Sequence, residues 1–405
     1  MRITPIKVKN LEETSKLMTA IGVSAEGIKI LSLKSIYCAF KIENIKSWEA
    51  NILKQYLLSL GSDAAIERNA LVKDIETTAF IFGSLKQLKN LCGKLRNQPF
   101  RLQEISQIIT SYLDNLYIKD FKFYARGKLL KIKDPIICGI INVTYDSFSG
   151  DGLIQKGQNT GDKVKYLALK KCENMIKQGV KIIDLGGESS RPFSTPIEGV
   201  EEAKNVIPIL KAIRNEFKKV FISIDTYKYL VAKKAVDEGV DIINDITAFR
   251  GDKRMLNLVK KNDLGCVLMH MKGIPQTMQE KVTYKDTVTE IIDFFNERLN
   301  FCFKKGIKKE HVLIDPGIGF GKRQEDNLRI MKELYKLKIF GLPIFLGLSR
   351  KSFIGNILNN KVEDRLIGTM AANVISLIKG ANILRVHDVK ETMQVIKISS
   401  AIMNN

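Results

Sequence analysis

Eight short apolar runs in the later part of this chain each hand over, within a few residues, to side chains that can do chemistry. Asn142 lies near the end of PIICGIINV (135–143). Asp184 sits in KIIDLGG (181–187), with Glu188, Ser190 and Arg191 just beyond. Asp225 ends FISID (221–225), Asn244 and Asp245 end DIIND (241–245), His270 ends CVLMH (266–270) and Asp315 ends VLID (312–315). Ser349, Arg350 and Lys351 emerge from PIFLGLS (343–349), and Arg385 and His387 close NILRVH (382–387). One or two such endings would be ordinary caps and turns, because Asp, Asn and Ser favour those positions. Eight of eight form a convergent set. Asp225, Asn244 and Asp315 suit a flat, nitrogen-rich heterocycle, whose adjacent N–H groups match a carboxylate while an Asn amide adds both donor and acceptor. Arg191, Arg385, His387 and Ser190 carry donors suited to an anion, helped by a helix N-terminus starting near Asp388.

Elements that bring eight strand ends together are legible in the spacing. Between the apolar runs lie stretches of helical period, such as DKVKYLALKKCENMIKQG, YKDTVTEIIDFFNERLNFCFKKG and DRLIGTMAANVISLIKG. Strand and helix alternating eight times is the pattern of a (β/α)8 TIM barrel, in which polar residues at the carboxyl ends of strands share one mouth. A doubly wound open sheet is the alternative. Residues 117–405 are thus expected to form the barrel, with FKFYARGKLLKIKD (121–134) as a β-hairpin turning at Arg126-Gly127 and plugging its bottom. Residues 1–116 read as a separate small α/β domain. It has strands at 35–42 and 77–83 and helices at 47–61, 84–97 and 102–115, and carries no chemical motif.

At 405 residues and 45% hydrophobic content the chain can bury a large core. No apolar run is long enough to span a bilayer, and MRITPIKVKN lacks the features of a signal peptide, so a cytoplasmic location and no membrane partner are expected. The six cysteines include no C-x-x-C pair and read as buried thiols. The net charge of +21 raises a nucleic-acid alternative. The lysines are interspersed with acids and there is no long basic block, so a solvated basic surface is favoured over nucleic acid.

Other motifs carry less. DPGIGFGKR (315–323) resembles a phosphate-cradling loop, but Arg323 replaces the hydroxyl residue that would hold magnesium and the spacing is one residue short. A tight strand-to-helix turn beside a ligand fits better. The three histidines (His270, His311, His387) form no zinc-binding pair. His270 is as readily a wall residue as a catalyst, and His311 reads as a surface residue opening a strand.

Taken jointly, GIINVTYDSFSGDG, IDLGGESSRP, ISIDTYK, DIINDI, LMHMKGIPQTMQ, IDPGIGFGK, LSRKSFIG and LRVHDV resemble the dihydropteroate synthase family of pterin-binding barrels, over about residues 121–405. The resemblance implies a transferase of folate biosynthesis that condenses 6-hydroxymethyl-7,8-dihydropterin pyrophosphate with 4-aminobenzoate and releases pyrophosphate. It implies a magnesium (Mg2+) contact at Asn142, and pterin contacts at Asp225, Asn244, Asp315 and Lys351, with Asp184 beside them. Pyrophosphate contacts fall at Ser190, Arg191, Arg385 and His387, Ser190 standing where Thr is usual. An arylamine pocket falls at Phe148, Phe320 and Ser349. Asp225, Lys351, Arg385 and His387 are the expected catalytic residues, the loops at 148–157 and 188–197 are expected to close over the ligands, and a homodimer is expected through late helices.

Tyr145, the SGDG order of the first loop and Phe193 depart from the family pattern on the arylamine side, which leaves a bulkier arylamine open. A methyltetrahydropterin-dependent corrinoid methyltransferase shares the acidic pterin contacts, but it has no need of the anion clamp at Arg191, Ser349-Arg350-Lys351 and Arg385-x-His387.

Overall fold

The computed structural model describes all residues except 9, 144–160, 189–195, 276, 281 and 405. The chain divides into two compact units, Met1–Ile118 with Ile339–Gly341, and Lys119–Lys338 with Leu342–Asn405.

In the first unit the order is α1 (Leu11–Ala20), α2 (Ala25–Ser35), β1 (Tyr37–Lys46), α3 (Ser47–Ser59), β2 (Asp63–Ile66), β3 (Glu76–Ser84), α4 (Leu85–Leu95) and α5 (Leu102–Asn115). The strands form an antiparallel sheet in the order β1-β3-β2. Leu53, Leu57, Ile81, Leu85, Leu88, Leu91, Leu95 and Leu102 make a core with almost no solvent exposure. Sequence periodicity did not reveal α1, α2 or β2. The two helices carry side-chain caps, Asn10 accepting from Glu13 N and Ser24 from Gly27 N. β2 is Asp-Ala-Ala-Ile, which has little strand propensity and exists through its pairing with β3.

The second unit opens with the expected hairpin, β4 (Phe121–Ala125) and β5 (Lys128–Ile132). Its two-residue turn has Arg126 at φ 51° and Gly127 at φ 72°, the paired positive dihedrals that match the twist of the strands. Eight strand-and-helix units follow: β6 (Ile136–Asn142) and α6 (Gly161–Lys177), β7 (Ile182–Gly186) and α7 (Gly199–Glu216), β8 (Phe221–Asp225) and α8 (Tyr229–Asp237), β9 (Ile242–Asp245) and α9 (Arg254–Lys261). Then come β10 (Gly265–Met269) and α10 (Thr287–Lys304), β11 (Val312–Asp315) and α11 (Gln324–Glu333), β12 (Phe345–Gly347) followed by α12 (Ser352–Leu358) and α13 (Leu366–Lys379), and β13 (Ile383–Val386) with α14 (Val389–Asn404).

These strands pair in parallel in the order β11-β10-β9-β8-β7-β6-β13-β12. The ring is joined by the Ile314–Ile344 bridge and by Ile314 N donating to Pro343 O at 3.2 Å. It is therefore a closed (β/α)8 barrel, as the spacing predicts, and the open sheet is excluded.

Period-two alternation sorts each strand into an inward and an outward row. Lower inward positions are apolar: Cys138, Ile182, Phe221, Ile242, Val267, Leu313, Phe345 and Ile383 pack on Phe123, Ala125, Leu130 and Ile132 of the hairpin, which plugs the bottom. Gly265 is required there, since a Cβ at this position would lie 2.3 Å from the Phe123 ring. His311 differs from the expectation of a surface residue. It is buried, its ring 6.3 Å from that of Tyr124 and its Nε2 3.6 Å from Asp263.

Candidate active site

One or two steps up five of the inward rows, the side chains become polar. Asp184 lies two residues above Ile182, Asp225 four above Phe221, Asn244 two above Ile242, Asp315 two above Leu313, and Arg385 two above Ile383. These five strands each turn an apolar residue to the plug and a polar one to the mouth, while β10 stays apolar, with Met269 two above Val267. The same alternation corrects the reading of Asp245. It points outward, and its carboxylate accepts from Thr247 N and Oγ1 at 2.7 Å and from Phe249 N at 3.1 Å, a local turn role.

At the centre is a two-carboxylate, one-guanidinium cluster. Arg385 Nε donates to Asp184 Oδ2 at 2.6 Å and Nη2 donates to Asp225 Oδ2 at 2.7 Å, while Asn244 Nδ2 donates to the same Asp184 oxygen at 3.2 Å. Asp184 has no exposed surface. Burial, opposed by Arg385 and reinforced by the charge on Asp184, pushes the Asp225 carboxyl up to about 7. Burial works against the Arg385 charge, but the two carboxylates overcome it and raise its pKa. The cluster keeps one excess negative charge when fully ionised.

Asp315 accepts from Gly317 N at 2.7 Å. Burial raises its pKa, and Lys351 works in the opposite direction. Lys351 is lowered to about 8, chiefly by burial. Its ammonium donates to Ile318 O and stands 4.6 Å from the centre of the Phe320 ring. Phe320 packs against an apolar cluster of Ile246, Met269, Met271 and Met278. Ser349 Oγ lies 3.0 Å from His387 Nδ1 and accepts from His387 N at 3.3 Å. Asn142 ends β6 opposite Gly186, where a Cβ would come within 3.3 Å of its Oδ1. The ring of strand ends thus brings Asn142, Asp184, Asp225, Asn244, Asp315, Ser349, Lys351, Arg385 and His387 to one mouth. Phe148, Ser190 and Arg191 lie outside the described residues, as does most of each loop expected to close.

Besides Asp245 and His270, two members of the convergent set are committed elsewhere. Arg350 Nη2 donates to Asp388 Oδ1 at 2.6 Å and Nε to Oδ2 at 3.1 Å. Glu188 Oε1 accepts from Ile197 N at 2.9 Å and pairs with Lys228 at 3.0 Å. His270 is a satisfied wall residue. Burial lowers its pKa to about 2, so it is neutral, and its ring meets Phe294 edge-on at 4.9 Å.

Sequence reasoning missed Lys322. It is 2% exposed, with Nζ 2.9 Å from His270 Nδ1, 3.2 Å from His270 O and 3.0 Å from Phe320 O. A phosphate-cradling loop would present such a lysine to its ligand; this one turns it into the protein. The turn itself is tight as expected, with Gly317, Gly319 and Gly321 all at positive φ.

The model of the family described as pterin binding enzyme matches residues 138–387. Dihydropteroate synthase of Haemophilus influenzae is 40% identical over 283 residues, covering 70% of this chain and 99% of that protein. The crystal structure of Yersinia pestis dihydropteroate synthase with a sulfonamide drug complex superposes with a TM-score of 0.65 at 38% identity, over 70% of this chain and 100% of that one. The bifunctional dihydropteroate synthase/dihydropteroate reductase of Helicobacter pylori is 31% identical over 396 residues, 97% of both chains.

This chain belongs to the pterin-binding enzyme family. Within it the activity is that of a dihydropteroate synthase, a transferase of folate biosynthesis that forms a C–N bond between a pterin and an arylamine.

Proposed function

We propose that Asp225, Asn244, Asp315 and Lys351 hold the pterin ring of 6-hydroxymethyl-7,8-dihydropterin pyrophosphate, with Asp184 acting through Arg385 and Asn244. Ser190, Arg191, Arg385 and His387 hold the pyrophosphate, and Phe148, Phe320 and Ser349 hold 4-aminobenzoate. The observation that carries this reading is the Asp184–Arg385–Asp225 cluster, which couples the heterocycle's acceptors to the anion's donor in one hydrogen-bonded unit.

In the reaction the bond from the pterin methyl carbon to the pyrophosphate oxygen breaks, and its electron pair leaves with pyrophosphate. The arylamine nitrogen then donates its lone pair to that carbon and loses a proton. Positive charge gathers on the pterin methyl group, where the Asp225 carboxylate opposes it, and Arg385 offsets the charge on the leaving group. No strong base is needed once the electrophile is cationic. Among the described residues no cluster of His, Cys, Asp and Glu could hold a metal ion. A single neutral oxygen on Asn142 fits a magnesium ion that keeps most of its waters and arrives on phosphate oxygens. When bound, that ion would add positive charge beside the leaving group.

The reading is tested by pyrophosphate release. Lys351→Ala and Asp225→Ala should each abolish turnover while leaving the fold intact, and near-wild-type rates in either would overturn the assignment. A panel of arylamines in the same assay identifies the true acceptor; release with bulkier amines and none with 4-aminobenzoate would reassign it.

A cytoplasmic location accords with the absence, among the described residues, of a helix long and apolar enough to cross a membrane. The proposed homodimer is supported by the outer faces of α13 and α14, where Ile367, Ile375, Ile378, Ile398 and Ile402 are exposed. Ile375→Glu with Ile378→Glu should convert a dimer to a monomer in sedimentation.

A second activity is favoured by the match to the bifunctional relative, because an alignment over 97% of this chain must take in most of residues 1–118, which the matches over 70% of it need not reach. We infer reduction of dihydropteroate, with a hydride from a reduced nicotinamide or flavin adding to carbon 6 of the ring and a proton to nitrogen 5. Donor oxidation dependent on dihydropteroate checks it; none with either donor class removes it.

A further inference from the structure

Four consecutive backbone carbonyls in the turn after β11 are each held by a side-chain donor. Lys351 Nζ donates to Ile318 O, Gln279 Nε2 to Gly319 O at 2.6 Å, Lys322 Nζ to Phe320 O at 3.0 Å, and the Tyr284 hydroxyl to Gly321 O at 2.7 Å. From the other side Asn327 Oδ1 accepts from Gly319 N at 2.7 Å. A connecting turn ordinarily leaves such carbonyls to water. Here the backbone is also pressed against its neighbours: a Cβ at Gly317 would sit 2.0 Å from His270 O, and one at Gly321 would sit 2.0 Å from Lys272 O.

The consequence falls on Phe320. Peptide groups are planar, so a residue whose two flanking planes are fixed has fixed φ and ψ and a fixed Cα–Cβ direction. The plane before Phe320 carries Gly319 O, held by Gln279; the plane after it carries Phe320 O, held by Lys322. Tyr284 fixes the next plane. Gln279 and Tyr284 both come from the connection between β10 and α10, so that connection and the turn after β11 are one mechanical unit.

We propose that Gln279, Lys322 and Tyr284 are positioning residues that aim the Phe320 ring and thereby set the fit of the arylamine without touching either substrate. This rests on the assignment of Phe320 to the arylamine pocket, so its test carries Phe320→Ala as a control.

The experiment measures KM for 4-aminobenzoate and for the pterin pyrophosphate in the full chain, with thermal unfolding alongside. Loss of one hydrogen bond to the turn should raise the arylamine KM by about 2- to 10-fold in Gln279→Leu and in Tyr284→Phe, with the pterin KM unchanged. Lys322→Met should exceed both, and Lys322→Gln, which keeps a donor, should recover part of the loss. Parallel rises in both KM values, or an unchanged arylamine KM in all variants, would overturn the inference. Should Lys322→Met fail to fold, the half-buried Gln279 and Tyr284 decide the matter. If Phe320→Ala itself leaves the arylamine KM unchanged, the pocket assignment falls; if it raises that KM and the three anchors do not, only the positioning role falls.

Discussion

The barrel contains a buried charge cluster at each end, built from the same residue types and serving opposite ends. At the bottom Asp241 has no exposed surface. Its Oδ2 accepts from Ile222 N at 2.9 Å and from Arg214, and Lys128 of the hairpin stands 2.9 Å from Oδ1. One carboxylate faces two cations under a plug. At the mouth two carboxylates share Arg385, and Asp225 is driven up to about 7, mainly by burial. A surplus of cations around a covered acid locks a structure. A surplus of acids around one cation leaves a site that gains from a ligand bringing N–H donors and positive character. The difference lies in charge ratio and cover, not in residue type.

That contrast can be broken first at the top. Arg385→Met leaves two buried carboxylates without their cation and should cut turnover by about a thousandfold or more while costing roughly 3–5 kcal/mol of stability. Pyrophosphate release and denaturant unfolding read the two effects. At the bottom, Asp241→Asn should cost roughly 2–3 kcal/mol, toward the low end because Arg214 and Lys128 can reach water, yet leave kcat/KM within about twofold. A large kinetic effect there would erase the division between the ends.

Gly265→Ala sharpens the same point without charge. Its methyl would collide with Phe123, so unfolding should become easier by about 1–3 kcal/mol with the chemistry intact.

The smallest effect is in pH. Because Asp225 must be ionised to oppose a developing cation, kcat/KM should fall as the pH drops through about 7. Asp184→Asn removes a neighbouring negative charge, so the Asp225 pKa should drop and the acid limb should move down by about one unit. Stability runs the other way. A carboxyl raised above its unfolded value resists ionisation in the fold, so its unfavourable contribution is absent below about pH 4 and grows toward pH 7. An acid limb that stays in place in Asp184→Asn would show that another group controls it.

Much of the barrel was legible because its signals are local. Each strand is a short apolar run between turn residues, and FISID and VLID coincide with β8 and β11. β12 is only Phe345–Gly347, shorter than PIFLGLS, because its first residues contribute the bridge that joins the ring. α1, α2 and β2 escaped because weak periodicity hid the helices and pairing, not propensity, makes β2 a strand. In the mouth, the sequence named the chemistry of Asp225, Asn244 and Asp315 but could not separate Asn244 from Asp245; strand alternation turns one to the barrel and the other to a local turn. Nor could it find Lys322, which looked like part of a defective phosphate loop.

By itself the sequence determined the alternation of strands and helices, the hairpin plug and the stock of acceptors and cations at strand ends. These follow from side-chain period and turn chemistry, which act over a few residues. Only the tertiary structure decided that Arg385 bridges Asp184 and Asp225, that Arg350 is spent on Asp388, and that Gln279, Lys322 and Tyr284 pin one turn. Apart from Lys322 and Phe320, close neighbours in the chain, such pairings join residues dozens to hundreds of positions apart, and the closure of the ring sets which of them meet.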